Sequence, residues 1–150
     1  LPALGQGHES CIVVDRPNNP VAAMAKQSVS SSKSAKPVGP YSPALRSGSL
    51  LFVSGQVPMN PATGTLVEGD IAAQTRRALE NVGLLLEAAG LSFSNVVRTT
   101  VFLADMNDFK AMNDVYATFF TEPYPARSTV QAARLPRDAR IEIDAIASFE

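Results

Sequence analysis

PARSTVQAARLPRDARIEIDAIA, residues 125–147, is the stretch on which the fold turns. It reads as two β-strands, approximately 126–132 and 140–149, separated by the turn-like LPRDA. In the second strand Ile141 and Ile143 flank Glu142, and the two-residue period of a strand sends them to the face opposite its carboxylate. Arg127 heads the first strand. A carboxylate on such a face lies either at a solvated surface or in a polar pocket, and a buried one needs a partner. Arginine, with its fixed fork of donors, is the best kind available. The same arginine is equally suited to grip the carboxylate of a ligand, leaving Glu142 to handle a water. A salt bridge joining the two strands is the plainer alternative.

Outward from this stretch, VVRTTVFL (96–103) is dense in β-branched residues and predicts a strand. A helix is expected over roughly Asn107–Phe120, with Phe109, Met112, Tyr116, Phe119 and Phe120 on one broad face, until EPYP breaks it. The clearest helix spans about Asp70–Ala89. Its apolar residues Ile71, Ala78, Leu79, Val82, Leu85 and Leu86 recur at three- and four-residue spacing. Asp70 is placed to cap its start and Gly90 to end it in a left-handed conformation. Gly83 lowers intrinsic helicity, which points to close packing there. LLFVSGQV (50–57) predicts a buried strand ending at a bend, and Pro61 and Gly64 in NPATGT (60–65) predict a hairpin turn.

The resulting order is ββ–α–β–α–ββ with terminal hairpins, an α+β fold in which two helices cover one face of a mixed sheet. The central strands are apolar on both faces, so the second face is expected to self-associate, with pockets between subunits.

Length and composition bound the remaining choices. The chain has 150 residues, 45% hydrophobic and 18% charged, which fits a single globular domain. No apolar run is long enough to cross a bilayer. Residues 1–36 read as an extension: from Arg16 to Ser49 there is no acidic residue, while Arg16, Lys26, Lys33, Lys36 and Arg46 are basic. Such a segment fits a targeting remnant, a flexible tail or residues preceding a native start at Met24, and leaves cytosol, mitochondrion and plastid open. The ordered domain is expected over 37–150, with nine basic and twelve acidic residues, a net of −3. That balance and the lack of a basic, aromatic platform speak against nucleic acid as a partner.

The single cysteine, Cys11, and single histidine, His8, both precede this domain. Disulfides within the chain, Cys/His zinc sites and His- or Cys-based triads are therefore excluded. Chemistry must come from carboxylates, arginine, hydroxyls and backbone groups. Arg134, Arg137 and Arg140 look like a basic cluster, but a solvated turn is the better explanation.

Four ordered segments, GPYSPA (39–44), SGQVPMNPATG (54–64), EAAGLSFSNVVRTTVFLADMNDF (87–109) and PARSTVQAARLPRDARIEIDAIA (125–147), together resemble the RidA/YjgF family of imine deaminases. The resemblance spans about 37–150. It implies a chorismate-mutase-like fold, a homotrimer with a central barrel and intersubunit clefts, and hydrolysis of enamine and imine intermediates of the 2-aminoacrylate and 2-iminobutyrate type to 2-keto acids and ammonia. It implies no metal or organic cofactor.

Carried over by motif, Arg127 matches the arginine that binds the substrate carboxylate, and Glu142 the acid beside the attacking water. Tyr41, Ser54 and Gly55 match cleft-lining segments, and Asn113 a ligand-contacting asparagine. Thr129 occupies a substrate-contacting position where many bacterial relatives have cysteine. Two other functions compete on the same fold. One is a ribonuclease or translation inhibitor; the other is a non-enzymatic ligand-binding or chaperone-like trimer.

Overall fold

The structure, a computed structural model, describes residues 25–150. Its elements in chain order are β1 (Gln27–Val29), β2 (Ala44–Ser47), β3 (Leu50–Gln56), β4 (Met59–Asn60), β5 (Thr65–Leu66), α1 (Ile71–Ala88), β6 (Val96–Leu103), α2 (Phe109–Tyr116), β7 (Ala126–Gln131) and β8 (Ile141–Ser148). Six strands form one mixed sheet in the order β1-β2-β3-β8-β6-β7, and β4 and β5 pair separately as the expected hairpin. Every neighbouring pair in the large sheet is antiparallel except β6 and β7, which run parallel.

Both helices pack on one face of this sheet. The alternation in β8 sets that face: Ile141, Ile143, Ala145 and Ala147 are buried in the core, while Glu142, Asp144, Ile146 and Ser148 are half-buried on the other side. Leu51 and Val53 of β3 and Val101 and Leu103 of β6 complete the inner face. Against it α1 buries Ile71, Ala78, Leu79, Val82, Leu85 and Leu86, the residues whose spacing predicts it.

Asp70 caps α1 by accepting from the Ala73 N–H at 3.0 Å. Gly90, at φ +76°, reverses the chain at the other end, and Leu91 N–H donates back to the Leu86 carbonyl. A Cβ on Gly83 would lie 3.0 Å from the Phe93 ring, so the glycine does mark close packing.

Three expectations are corrected by the structure. The terminal hairpin does not form: β6 leads through α2 to β7 on the sheet edge, and β8 returns between β3 and β6. The strand compositions account for this. β8 offers an unbroken buried Ile/Ala row and pairs on both sides, whereas the polar, half-exposed ARSTVQ of β7 suits an edge.

The second helix is also shorter than expected. Met106–Asp108 is a separate 3₁₀ turn capped by Asp105, and after Tyr116 tighter bonds take over, with Thr118 N–H donating to Val115 and Phe119 N–H to Tyr116. Finally, the sheet begins at Gln27, ahead of Pro37, because a three-residue strand is too short to show a period. The rest of the expected extension, residues 1–24, lies outside the described residues.

No helix among the described residues is long and apolar enough to cross a membrane. Among the described residues nothing covers the outer face of the sheet. There Phe52 is 41% exposed and Val130 43%, beside Ile146 and Phe102.

Candidate active site

Glu142 stands where β3 departs from regular pairing. Between Val53 and Gln56 the register against β8 shifts, and Gly55 lies in the irregular segment. The Glu142 side chain occupies the space that a side chain on Gly55 would fill: a Cβ there would come within 3.1 Å of Glu142 Cγ and closer still to the carboxylate. This is one glycine whose role is close approach rather than conformational freedom.

The carboxylate faces a cleft of about 370 Å³ lined also by Tyr41, Ser54, Gln56, Lys36 and Arg137. Burial raises the Glu142 pKa above the ordinary glutamate value, and the neighbouring Asp144 charge raises it further. Asp144 itself accepts from the Thr100 N–H at 3.0 Å. Ser54 is structurally committed: its hydroxyl donates to the Ser42 carbonyl at 2.7 Å and its N–H to Pro43, tying the 39–43 loop to β3. Tyr41 is thereby held at the cleft wall, about half exposed.

Arg127 lies elsewhere. In the parallel β6/β7 register it sits opposite Thr99, whose buried hydroxyl hydrogen-bonds the Tyr116 hydroxyl of α2 at 2.8 Å. Its guanidinium lies over the Tyr116 ring, 4.7 Å from the centroid, and 5.6 Å from that of Phe109. Cation–π attraction therefore positions it without an anion, and it forms no ion pair among the described residues. Burial raises the Tyr116 pKa, with the Thr99 bond and the Arg127 charge opposing, so the hydroxyl stays protonated.

Asn113, four residues after Phe109 and three before Tyr116, shares their side of α2. Thr129, two residues beyond Arg127, lies on the same face of β7, and its buried hydroxyl has no partner among the described residues. The expected residues thus divide into two groups. Glu142, Tyr41, Ser54 and Gly55 form one, and Arg127, Asn113 and Thr129 the other.

The groups do not meet within a protomer. Arg127 projects from the helix-covered face and Glu142 from the open face, and β6 lies between their strands. The salt bridge between neighbouring strands is therefore absent, since β7 and β8 are not neighbours.

The three arginines also separate. Arg134 makes a bidentate, fully exposed pair with Asp138, as a solvated turn would. Arg140 instead pairs with the largely buried Asp108, and its N–H donates to Gln74. Arg137, read as part of that solvated turn, lines the Glu142 cleft. Nothing in the sequence pattern marks it, because its placement depends on a left-handed backbone at φ +58°. Tyr116, read only as a core aromatic, is the seat of Arg127. No group of three or more potential metal-ligating side chains occurs among the described residues.

A helix-backed mixed sheet carrying a stacked edge-strand arginine on one face and a pocketed glutamate on the other defines a small α+β protein whose candidate residues fall in two groups on opposite faces. The chain belongs to the RidA/YjgF family, whose model, described as endoribonuclease L-PSP, matches residues 31–149. It is 52% identical over 125 residues to a RutC family protein of Pyrococcus horikoshii, covering 83% of this chain and 99% of that one. It is 44% identical over 127 residues to the mouse 2-iminobutanoate/2-iminopropanoate deaminase, covering 85% and 94%. Among solved structures, Escherichia coli TdcF with bound serine superposes with a TM-score of 0.77 at 43% identity, over 81% of this chain and 98% of that one.

Proposed function

We propose that the protein hydrolyses 2-imino acids and their enamine tautomers to 2-keto acids and ammonia, in sites assembled between copies of the chain. The observation that carries this reading is the division of Arg127 and Glu142 between opposite faces, each held ready by its own surroundings and neither neutralised by the other. A homotrimer closing around the uncovered sheet face would bring the Arg127 group of one subunit to the Glu142 cleft of the next. The deaminase name of the mouse relative and the serine bound by TdcF support an amino-acid-like ligand with a carboxylate.

The residues suit the reaction. An enamine such as 2-aminoacrylate first takes a proton at C3 and becomes the iminium. The Arg127 fork then holds its carboxylate by two charge-assisted bonds and fixes the adjacent C2. Glu142 takes a proton from a water as the water oxygen bonds to C2 and the C=N electrons move to nitrogen. That proton, returned to the nitrogen, lets the C–N bond break, and the C2 hydroxyl loses its proton as the keto acid forms. Beyond the solvent proton taken up at C3, water is the only co-reactant, and iminium plus water balances to one keto acid and one ammonium. The raised pKa of Glu142 brings it nearer to neutral pH, as proton shuttling requires.

The test is to generate 2-aminoacrylate with a serine dehydratase and follow keto-acid release with and without the protein. Faster release is expected; an unchanged rate would sink the proposal. RNA cleavage by the same preparation, surviving Arg127→Ala, would instead favour the ribonuclease reading or a contaminant.

Gly55→Ala provides a separate check on the cleft. Its methyl group must displace the Glu142 carboxylate, so activity is expected to fall at least about tenfold for an ångström-scale misplacement. Because the glycine lies in an irregular, solvent-lined segment, the thermal midpoint is expected to change little. Full activity in Gly55→Ala would show that Glu142 need not lie where the structure puts it.

A further inference from the structure

The Glu142 cleft contains more positive charge than a simple imino acid requires. Its charged lining consists of Glu142, Lys36 and Arg137. Among the described residues the ion pairs use Lys33, Arg77, Lys110, Arg134 and Arg140, so both cleft cations lack a carboxylate partner. Arg137 is there by construction of the turn. It adopts φ +58° and ψ +22°, a conformation uncommon for a residue with a side chain, and Asp138 follows at φ +56°. Asp138, the carboxylate nearest in sequence, is occupied by Arg134 at 2.7 and 3.2 Å. Among the described residues the Arg137 guanidinium is steadied only by a neutral acceptor, the Gly64 carbonyl, at 3.2 Å.

We infer that this cleft is selective for 2-imino acids bearing a second carboxylate at the side-chain end, with Lys36 and Arg137 as the specificity-determining residues that receive it. The inference rests on the deaminase reading, in which a neighbouring subunit's Arg127 takes the carboxylate beside the imine. With that role filled, the two cleft cations are free for a second anionic group. The reaction that supplies such a substrate is the oxidation of an acidic amino acid to its imine.

The experiment compares two imines made in place, 2-iminosuccinate from aspartate with an L-aspartate oxidase and 2-iminopropanoate from alanine with an L-amino-acid oxidase. Catalase is present in both, and keto-acid release is followed at a matched imine supply. In wild type, kcat/KM for 2-iminosuccinate is expected to equal or exceed that for 2-iminopropanoate. In the Lys36→Ala/Arg137→Ala double variant, this ratio is expected to fall about tenfold, and in wild type it should fall as salt screens the exposed cations.

Single Lys36→Ala, on an exposed segment, provides the same readout at smaller amplitude should the double variant fold poorly. A ratio unchanged by both substitution and salt overturns the inference while leaving the deaminase reading intact. Failure of wild type to accelerate either imine overturns both.

Discussion

Arg127→Ala is expected to lower kcat/KM for 2-iminopropanoate by about a hundred- to a thousandfold. Two charge-assisted hydrogen bonds to the substrate carboxylate disappear, and with them the orientation of C2 toward the water. Arg127→Lys keeps the charge and loses the fork, so its activity should lie between wild type and alanine, with most of the loss in KM. Stability should respond weakly, because the interactions removed within the protomer are the contacts with Tyr116 and Phe109, together about 1 kcal/mol. Keto-acid release with a dehydratase source, alongside thermal unfolding by circular dichroism, measures both. Activity within twofold of wild type would remove Arg127 from the mechanism.

Glu142→Gln is the second large effect, and activity and stability should move in opposite directions. Loss of the proton acceptor is expected to reduce kcat by about a hundredfold or more. Because the Glu142 pKa is raised in the folded protein, by burial first and Asp144 second, the native state binds the proton more tightly than the unfolded chain. Ionised Glu142 therefore opposes folding at neutral pH. The penalty is present above the raised pKa and fades as pH falls through it toward the unfolded value.

Glutamine removes that penalty, so the variant should be as stable as wild type or more so at pH 7. Half exposure keeps the difference below about 1 kcal/mol. The same shift places the acid limb of the wild-type pH–rate profile above the ordinary glutamate range. Asp144→Asn, by removing the charge that adds to the shift, should move that limb toward lower pH. A wild-type limb at the unperturbed value, unmoved by Asp144→Asn, would contradict the electrostatics described here.

Elements with a strong period or a defined terminus were legible in the sequence. The α1 stripe with Asp70 and Gly90, the β-branched run 96–103 and the Ile/Glu alternation of β8 all correspond to what forms. Pairing order was not legible, because strand composition shows which faces are buried more directly than which strands are neighbours. That β7 takes the edge and β8 the middle depends on the parallel crossover through α2. The motif match names Gly55 as a candidate, but its close approach to Glu142 emerges only from the structure. Arg137 was not legible, since a left-handed residue other than glycine leaves no mark in composition. The opposition of Arg127 and Glu142 across the sheet was equally hidden, because alternation gives the face of each strand only once register is known.

That opposition has one direct consequence. If the site needs Arg127 from one subunit and Glu142 from its neighbour, two inactive variants should complement each other. Arg127→Ala and Glu142→Gln chains, coexpressed with different tags and purified through both, would contain interfaces where both residues are intact. Random cyclic assembly in equal amounts places an intact pair at about a quarter of all interfaces. Purification through both tags discards the pure homo-oligomers. Activity recovered to about that fraction of wild type or somewhat above, from parents each near zero, is the predicted result. Mixed oligomers as inactive as their parents would contradict a site shared between subunits.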